Sequence, residues 1–535
     1  MSPGDDIDHR GTPFTPPLLD ALLNALCDPA TRYPRLGYAI FDSATFKADA
    51  CFNSATFESK ALFVSATFEG PAWFGSATFQ RGEWSGPGTL VGDAAFGPAA
   101  FKAESWFVSA TFEGPAWFGS ATFTAAARFD SATFESKAWF ESATFKGVAR
   151  FDSATFKADA GFESATFERS SRLGPLVCAG LVRLSGATFG GPVSLGVAAR
   201  RLECRRARWS STAEVRLRYA TVDFAHAVFE YPLTIGAEPD PFVLSDGFEL
   251  AEEPFADAFD VTVRIASLRG VDAAHLVLAN VDLTGCLFTG TVHLDQLRLE
   301  GACRFNTVPR SVHWRGWRPT RLTQRRTLVE EHHWRARQSA SVPGWQAAPS
   351  GAGHVGPLQL APVYRALRKA FEDGKHEPGA ADFYYGEMEM RRHADDIPRS
   401  ERSLLTAYWA LSGYGLRASR ALGWLAAAML LTILLLMGFG LPSNDPKQEA
   451  NGTVPPGGGR VTFEIGQGDP DNPTGNRFTG ERFEKALNVT LNSVVFRSAD
   501  QDLTTAGTYI EMTSRLTEPV LLGLAVLAVR NRVKR

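Results

Sequence analysis

Lysine is scarce in this chain, and its cysteines form no recognisable set. Of 535 residues, 11 are Lys against 44 Arg, 21% are charged and the formal net charge is −3, which excludes a uniformly basic nucleic-acid binder. A hydrophobic content of 44% excludes a highly charged disordered chain. The six cysteines, Cys27, Cys51, Cys178, Cys204, Cys286 and Cys303, include no CxxC pair, so they read as neither a disulfide framework nor a zinc site. Three of them, Cys178, Cys286 and Cys303, are expected inside as small hydrophobes. Glu330, Glu331, His332 and His333 do not read as a metal centre, because adjacent histidines on a helix point about 100° apart and no third ligand follows at i+4. No GxSxG, P-loop, GxGxxG or HExxH occurs, so neither catalysis nor a cofactor is expected. The opening MSPGDDIDHRGTPF lacks the basic start and apolar run of an export signal, which places the first three hundred residues in the cytoplasm as an expectation.

What the chain has in excess is phenylalanine, 39 residues, and it is periodic. Ser-Ala-Thr-Phe ends at Phe46, Phe57, Phe68 and Phe79, then at Phe112, Phe123, Phe134, Phe145, Phe156 and Phe167, always in multiples of eleven. A second Phe lies between, at 41, 52, 63 and 74 and again from 96 to 162, so the spacing alternates five and six. A small residue stands two places before nearly every Phe, as Ala44, Ala50 and Ala55, and a variable one lies between, as Thr45, Cys51, Leu62, Trp73 or Arg128. Alternation over three residues followed by Ser, Gly, Asp or Lys reads as one short strand and one corner, with Phe and Ala inward.

These units resemble the pentapeptide-repeat family, which places a large apolar residue at the centre of each unit and a small one two places earlier. The resemblance implies a mainly β fold, a right-handed quadrilateral β-helix, with Phe here in place of the usual central Leu. Two five-plus-six pairs make a coil of about 22 residues, and the run from Phe41 to Leu195 predicts seven coils, roughly 34 Å at about 4.8 Å per strand. The core ladder is then Phe46, Phe57, Phe68, Phe112, Phe123, Phe134, Phe145, Phe156 and Phe167. The pattern frays after Leu195, is interrupted by an acidic insertion at about 236–260, and resumes to about residue 305. An N-terminal arm and helical cap at 1–37, with Leu19, Leu22, Leu23 and Leu26 at helical spacing, precede a solenoid at 38–305.

Charge is unevenly spread. Phe41–Arg169 carries −5, Ser170–Ala220 carries +7, and Arg310–Arg337 has eight Arg against two Glu, interleaved with Trp314, Trp317 and Trp334. Three readings of these basic stretches stay open: a surface paired with acidic loops, contact with anionic lipid, and nucleic acid as the least favoured. A basic segment and flexible linker at 306–356 lead to helices at 357–415, the first with Leu360, Val363, Tyr364, Leu367, Ala370 and Phe371 on one face. They are expected to form a hairpin that adapts the solenoid to a membrane region.

Residues 421–441 (ALGWLAAAMLLTILLLMGFGL) are free of charge and long enough to cross a bilayer core of about 30 Å. Arginines crowd the amino-terminal side of this span, Arg417 and Arg420 among them, and Arg530 and Arg532 close the chain. This predicts a multi-pass cell-membrane protein with both termini cytoplasmic, an extracytoplasmic loop at 442–485, an interfacial or re-entrant segment at 486–505, a second span at 507–530 and a basic tail at 531–535. In the second span only Pro519–Val529 lacks charge, and Glu511, Arg515 and Glu518 fall on one helical face, as candidate pore-facing groups or as residues just outside the bilayer. The order helix, polar loop, helix is that of two-span pore modules, but SADQDLTTAG stands where a TVGYG-like filter would be. With FYYGEMEMRR and SGYGLR, the carboxy-terminal half resembles the tail of membrane-bound bacterial pentapeptide-repeat proteins.

The expected function is a membrane-anchored scaffold presenting its β-helix to a cytoplasmic protein partner. Arg205, Arg206, Arg417, Arg420, Arg530 and Arg532 are the expected contacts to lipid or partner, and the partner surface is expected near Arg200–Arg218 or the acidic loop. An oligomeric two-span channel or transporter-like module with a regulatory β-helix is the alternative. A DNA-mimic topoisomerase inhibitor is a lesser one, because a −5 segment is too weakly acidic for a mimic.

Overall fold

Each 22-residue period closes one coil of four short parallel strands, and strands of successive coils pair in register, as Phe123 with Phe145 and Thr133 with Thr155. The structure is a computed structural model. It describes all residues except 83–92, 245, 259, 310–311, 316–317, 322, 339–342, 350–352, 443–447, 453–463, 468–474, 496–501 and 534–535, and it divides into two units, Met1–Glu387 and Met388–Arg535.

In the first unit the inward side chains form four stacks, named here by their early members: face one by Phe46, face two by Phe52, face three by Phe57 and face four by Phe63. Phe112, Phe134 and Phe156 lie nearly parallel at centroid separations of 4.8 and 4.6 Å. Rings of the opposing faces two and four meet edge to face, as Phe129 and Phe140 at 5.3 Å and 86°. Both geometries suit the ring quadrupole. The Ala two places before each Phe is buried with it, while the Thr between is half-buried.

The alternation of five and six has a local cause. The five-residue step turns the corner in two residues, and the Ser before Ala-Thr-Phe there is left-handed, with φ of 55–60° from Ser43 to Ser164. Gly186 takes the equivalent place at φ 71°. The six-residue step spreads its corner over three residues, such as Lys47, Ala48 and Asp49, and needs no positive φ there.

The coil count departs from the sequence expectation. Phe68 pairs with Phe101 and Phe79 with Phe112, steps of thirty-three residues, so one eleven-residue unit is bypassed between face three and face four. Phe41 to Leu195 therefore winds half a coil fewer than seven; Ser85 and Leu90, where the pattern matches poorly, lie outside the described residues. From Ser171 on the corners straighten into long strands, Ser171–Arg183 and Val193–Glu203, and after Phe189 the coil shortens to twenty residues, through Trp209 and Phe229. This shortening is the fraying seen in the sequence.

The solenoid also starts earlier than residue 38. Ile7–Asp8 pairs with Ala39–Ile40, Pro13–Phe14 with Thr45–Phe46 and Arg35–Leu36 with Thr56–Phe57, so the amino-terminal arm is itself a coil. Helix α1 (Pro16–Ala25) stands in the chain where the face-two strand of that coil belongs, burying Leu19, Leu22 and Leu23. Pro13 lies on the outermost strand and has no N–H to offer a further strand.

At the other end Asn306–Thr307 pairs antiparallel with Arg326–Thr327, which stops the parallel winding. Helices α2 (Val329–Ala336), α3 (Pro357–Asp373) and α4 (Glu377–His393) follow. The six residues expected on one face of α3 are its buried residues. Phe305 of the solenoid meets Phe371 of α3 at 5.7 Å and Phe383 of α4 at 5.0 Å, so α3 and α4 cover the last coil.

The second unit contains α5 (Arg399–Ser412), α6 (Ala418–Leu435), α7 (Gly480–Val494) and α8 (Thr505–Val533). The second span is therefore one long helix through Glu511, Arg515, Glu518 and Pro519. A wide π-type turn, Leu436–Gly440, extends α6. The guanidinium of Arg482 on α7 donates to the carbonyls of Met437, Leu441 and Pro442, satisfying acceptors that this helix end leaves open. Gly440 and Gly507 bring backbones together: a Cβ on Gly507 would lie 2.3 Å from the Gly440 carbonyl oxygen. Ile433, Leu436, Met437, Leu441, Ala486 and Val489 form the unit's core. Among the described residues two helical stretches are long and apolar enough to cross a membrane, Ala418–Gly440 (23 residues, mean hydropathy 2.3) and Thr505–Arg530 (26 residues, 1.4).

Candidate functional site

With the core so uniform, chemical variety lies in the outward residue of each strand. Faces one and three repeat Thr, as Thr122, Thr144 and Thr166 or Thr111, Thr133 and Thr155. Face two differs. Down successive coils it presents Trp73, Trp106, Arg128, Arg150 and Arg172. The two indoles stack at 4.9 Å, and the Arg128 guanidinium lies 4.2 Å above the Trp106 ring.

Below them the arginines are held by corner carboxylates. Arg128 Nε is 2.9 Å from Asp130; Arg150 reaches Asp152 at 2.7 Å and Asp130 at 3.4 Å; Arg172 reaches Asp152 at 3.6 Å. Burial pushes the Asp152 carboxyl above its ordinary range, and Arg150 and Arg172 pull against that rise. Isolated surface ion pairs contribute little, but a ladder fixed by stacking and by shared carboxylates orders its side chains in advance. The same face continues into an open groove of about 680 Å³ lined by Arg150, Arg172, Ser194, Glu214 and Thr234. This ladder escaped the sequence reading, although Arg128, Arg150 and Arg172 stand at the 22-residue coil spacing.

The expected partner surface near Arg200–Arg218 is largely engaged within the chain. Arg218, nearly buried, pairs with Glu252 of the acidic insertion at 2.7 Å and donates to the Glu238 carbonyl. Phe242, Leu250 and Phe255 of that insertion pack on Val177 and Ala198, which occupy outward positions of face three where Thr stands elsewhere. The insertion is thus a strap over the basic coils. Arg205 is exposed but bound to Asp223 at 2.7 Å, and Arg206 is exposed at a left-handed corner, φ 55°.

The second basic stretch is engaged within the chain as well. Arg325 and Glu331 are buried side by side, with Arg335 at 2.6 Å from the same carboxylate and the Tyr364 hydroxyl donating to it. Burial alone would raise Glu331, but Arg325 and Arg335 outweigh it and hold the carboxyl well below its usual range. Glu330 accepts the backbone N–H groups of Phe288 and Thr289, closing the last coil. Trp314 and Trp317 have no described side chains. Part of the expected linker is packed, with Trp345 4.8 Å from the His332 ring and 5.2 Å from the Arg335 guanidinium. Among the cysteines, Cys178, Cys204 and Cys286 are buried and Cys303 is half-buried; burial pushes the Cys178 thiol up to about 12. Among the described residues no cluster of His, Cys, Asp or Glu is arranged to hold a metal.

In the second unit Glu511 and Arg515 pair at 2.7 Å along α8, while Glu518 is buried and meets Thr432 of α6. Arg420 donates to the Trp409 carbonyl and lies 5.2 Å over its ring. Arg417 stands just before the first turn of α6, Arg530 is exposed near the end of α8, and Arg532 lies in its last turn without a described side chain.

Residues 107–154 match the pentapeptide repeats family, in nine copies, and the surrounding solenoid continues the same pattern. No curated protein and no solved structure matches the chain.

Proposed function

We propose that this chain is a membrane-anchored scaffold of the bacterial pentapeptide-repeat type, whose solenoid, right-handed in this reading, presents face two to a cytoplasmic protein partner and performs no catalysis. The observation that carries the reading is the apolar surface of the second unit: Leu430 and Leu431 on α6 and Leu516 and Val526 on α8 are each more than half exposed. Such a surface on two helices of spanning length needs lipid or another apolar cover. Arginines before α6 and at the end of α8 favour both termini inside, with Arg417, Arg420 and Arg530 near anionic headgroups. A partner segment with acidic and aromatic side chains would suit the Trp73 to Arg172 ladder.

The pore alternative has less support, because Glu518 turns toward Thr432 and Glu511 is paired with Arg515. The DNA-mimic alternative has less still, since Asp130 and Asp152 are neutralised by arginines.

Alkaline extraction of membranes holding the full chain, combined with labelling of the exposed Cys51 by a membrane-impermeant maleimide, tests the reading. The protein should stay in the pellet, and Cys51 should react only once the cytoplasmic side is opened. Release into the supernatant overturns anchoring; labelling from outside overturns the orientation.

A further inference from the structure

Glu518 is fully buried, with Oε1 2.9 Å from Thr432 Oγ1 on α6 and Oε2 buried without a partner among the described residues. Thr432 Oγ1 also lies 3.0 Å from the carbonyl oxygen of Ala428, one turn earlier in its own helix. A hydroxyl has one hydrogen and cannot donate to two acceptors. Both contacts are satisfied if the Thr432 hydrogen goes to Ala428 and the Glu518 carboxyl supplies its own hydrogen to Thr432.

The ionised alternative is poorly accommodated. A carboxylate here would have a single neutral donor for one oxygen and none for the other, and a buried charge in that state is costly enough that the group takes up a proton instead. No titratable residue occurs on α6 from Ala421 to Gly440. On α8 itself Arg515 is joined to Glu511; on α7 Arg482 is bound to carbonyls at the end of α6, and Lys485 is 3.6 Å from Glu481; on α5 Arg402 donates to the Ala394 carbonyl and Glu401 lies 3.8 Å from Arg391.

We propose that Glu518 is a proton-binding site inside the helical unit, a neutral carboxylic acid that joins α8 to α6 through Thr432. Losing the proton would place an unshared charge between the two helices, so occupancy by a proton and the packing of α6 on α8 are linked.

A hydrophobic carbodiimide tests this in the full-length protein reconstituted in liposomes near neutral pH. The acid's proton passes to a carbodiimide nitrogen as its oxygen bonds to the central carbon; the O-acylisourea then rearranges to a stable N-acylurea, and one whole reagent molecule is added. Peptide mapping should place this adduct on Glu518 and leave Glu511 unmodified, with the adduct lost in Glu518→Gln. An unmodified Glu518, or equal modification of Glu511, overturns the proposal. Infrared difference spectra of wild type against Glu518→Gln need no reagent access: a protonated-carboxyl C=O band supports it, and carboxylate bands in its place overturn it.

Discussion

The hydroxyl of Tyr414 donates to Glu389 Oε1 at 3.0 Å, joining SGYGLR to FYYGEMEMRR inside the second unit. Tyr414 and its two glycine neighbours are all left-handed, at φ 56°, 57° and 69°, which turns the chain between α5 and α6 and brings the phenol to the carboxylate. Arg392 shares that carboxylate at 3.0 Å and stacks 4.7 Å over Trp409.

Tyr414→Phe removes one donor from a buried carboxylate and keeps the ring. A loss of about 1.5–3 kcal/mol is expected, read as earlier unfolding of the detergent-solubilised full chain. Unchanged unfolding would remove this contact from the account.

Phe134→Ala should cost the solenoid about 3–5 kcal/mol through the cavity left between Phe112 and Phe156. Thr133→Lys, on the outward side of the same strand, should be nearly silent. Denaturant unfolding of both variants checks the inward and outward assignment, and a reversal of the two effects would refute it.

Ser131, at φ 58°, gives a separate test of the corners. Ser131→Gly should be neutral or slightly stabilising, whereas Ser131→Val should cost roughly 1–2 kcal/mol, because a β-branched residue tolerates the left-handed region poorly. Equal melting temperatures for the two variants would count against the left-handed corner.

Acid should loosen the cap around α2 in a defined order. Burial holds His332 down at about 4 against its ordinary 6.5, so the folded state prefers the neutral ring and its contribution is lost as pH falls from about 6.5 toward 4. Glu331 is held low, so its contribution is present above the unfolded carboxyl value and disappears only in stronger acid. Glu330, pushed up by burial, acts in the opposite sense. His332→Gln should therefore flatten the fall in stability between pH 7 and 4, and an unchanged slope would assign it to other groups.

Much of the solenoid was legible because Phe and Ala recur with little variation, so two neighbouring units are enough to assign inward and outward positions. The bypassed unit was not, since an insertion as long as the repeat leaves every later Phe in phase. Leu360 to Phe371 on α3 were readable from spacing alone. The burial of Arg325 and Glu331 was not legible because a charge count carries no depth: of eight arginines in that stretch two, Arg325 and Arg335, close around one buried carboxylate. The Trp73 to Arg172 ladder required the three-dimensional coil step, thirty-three residues once and twenty-two thereafter.

The stacked coils also make length an independent variable. A regular coil contacts only the coils before and after it, so the α1 end and the Glu330 end do not sense how many lie between them. Removing or duplicating 22 residues within 107–167 would shift one end against the other by about 4.8 Å and leave both terminal seals intact. The regular part of this chain is in that sense a ruler with a fixed graduation, on which the outward side chains of face two are set at a chosen distance from either end.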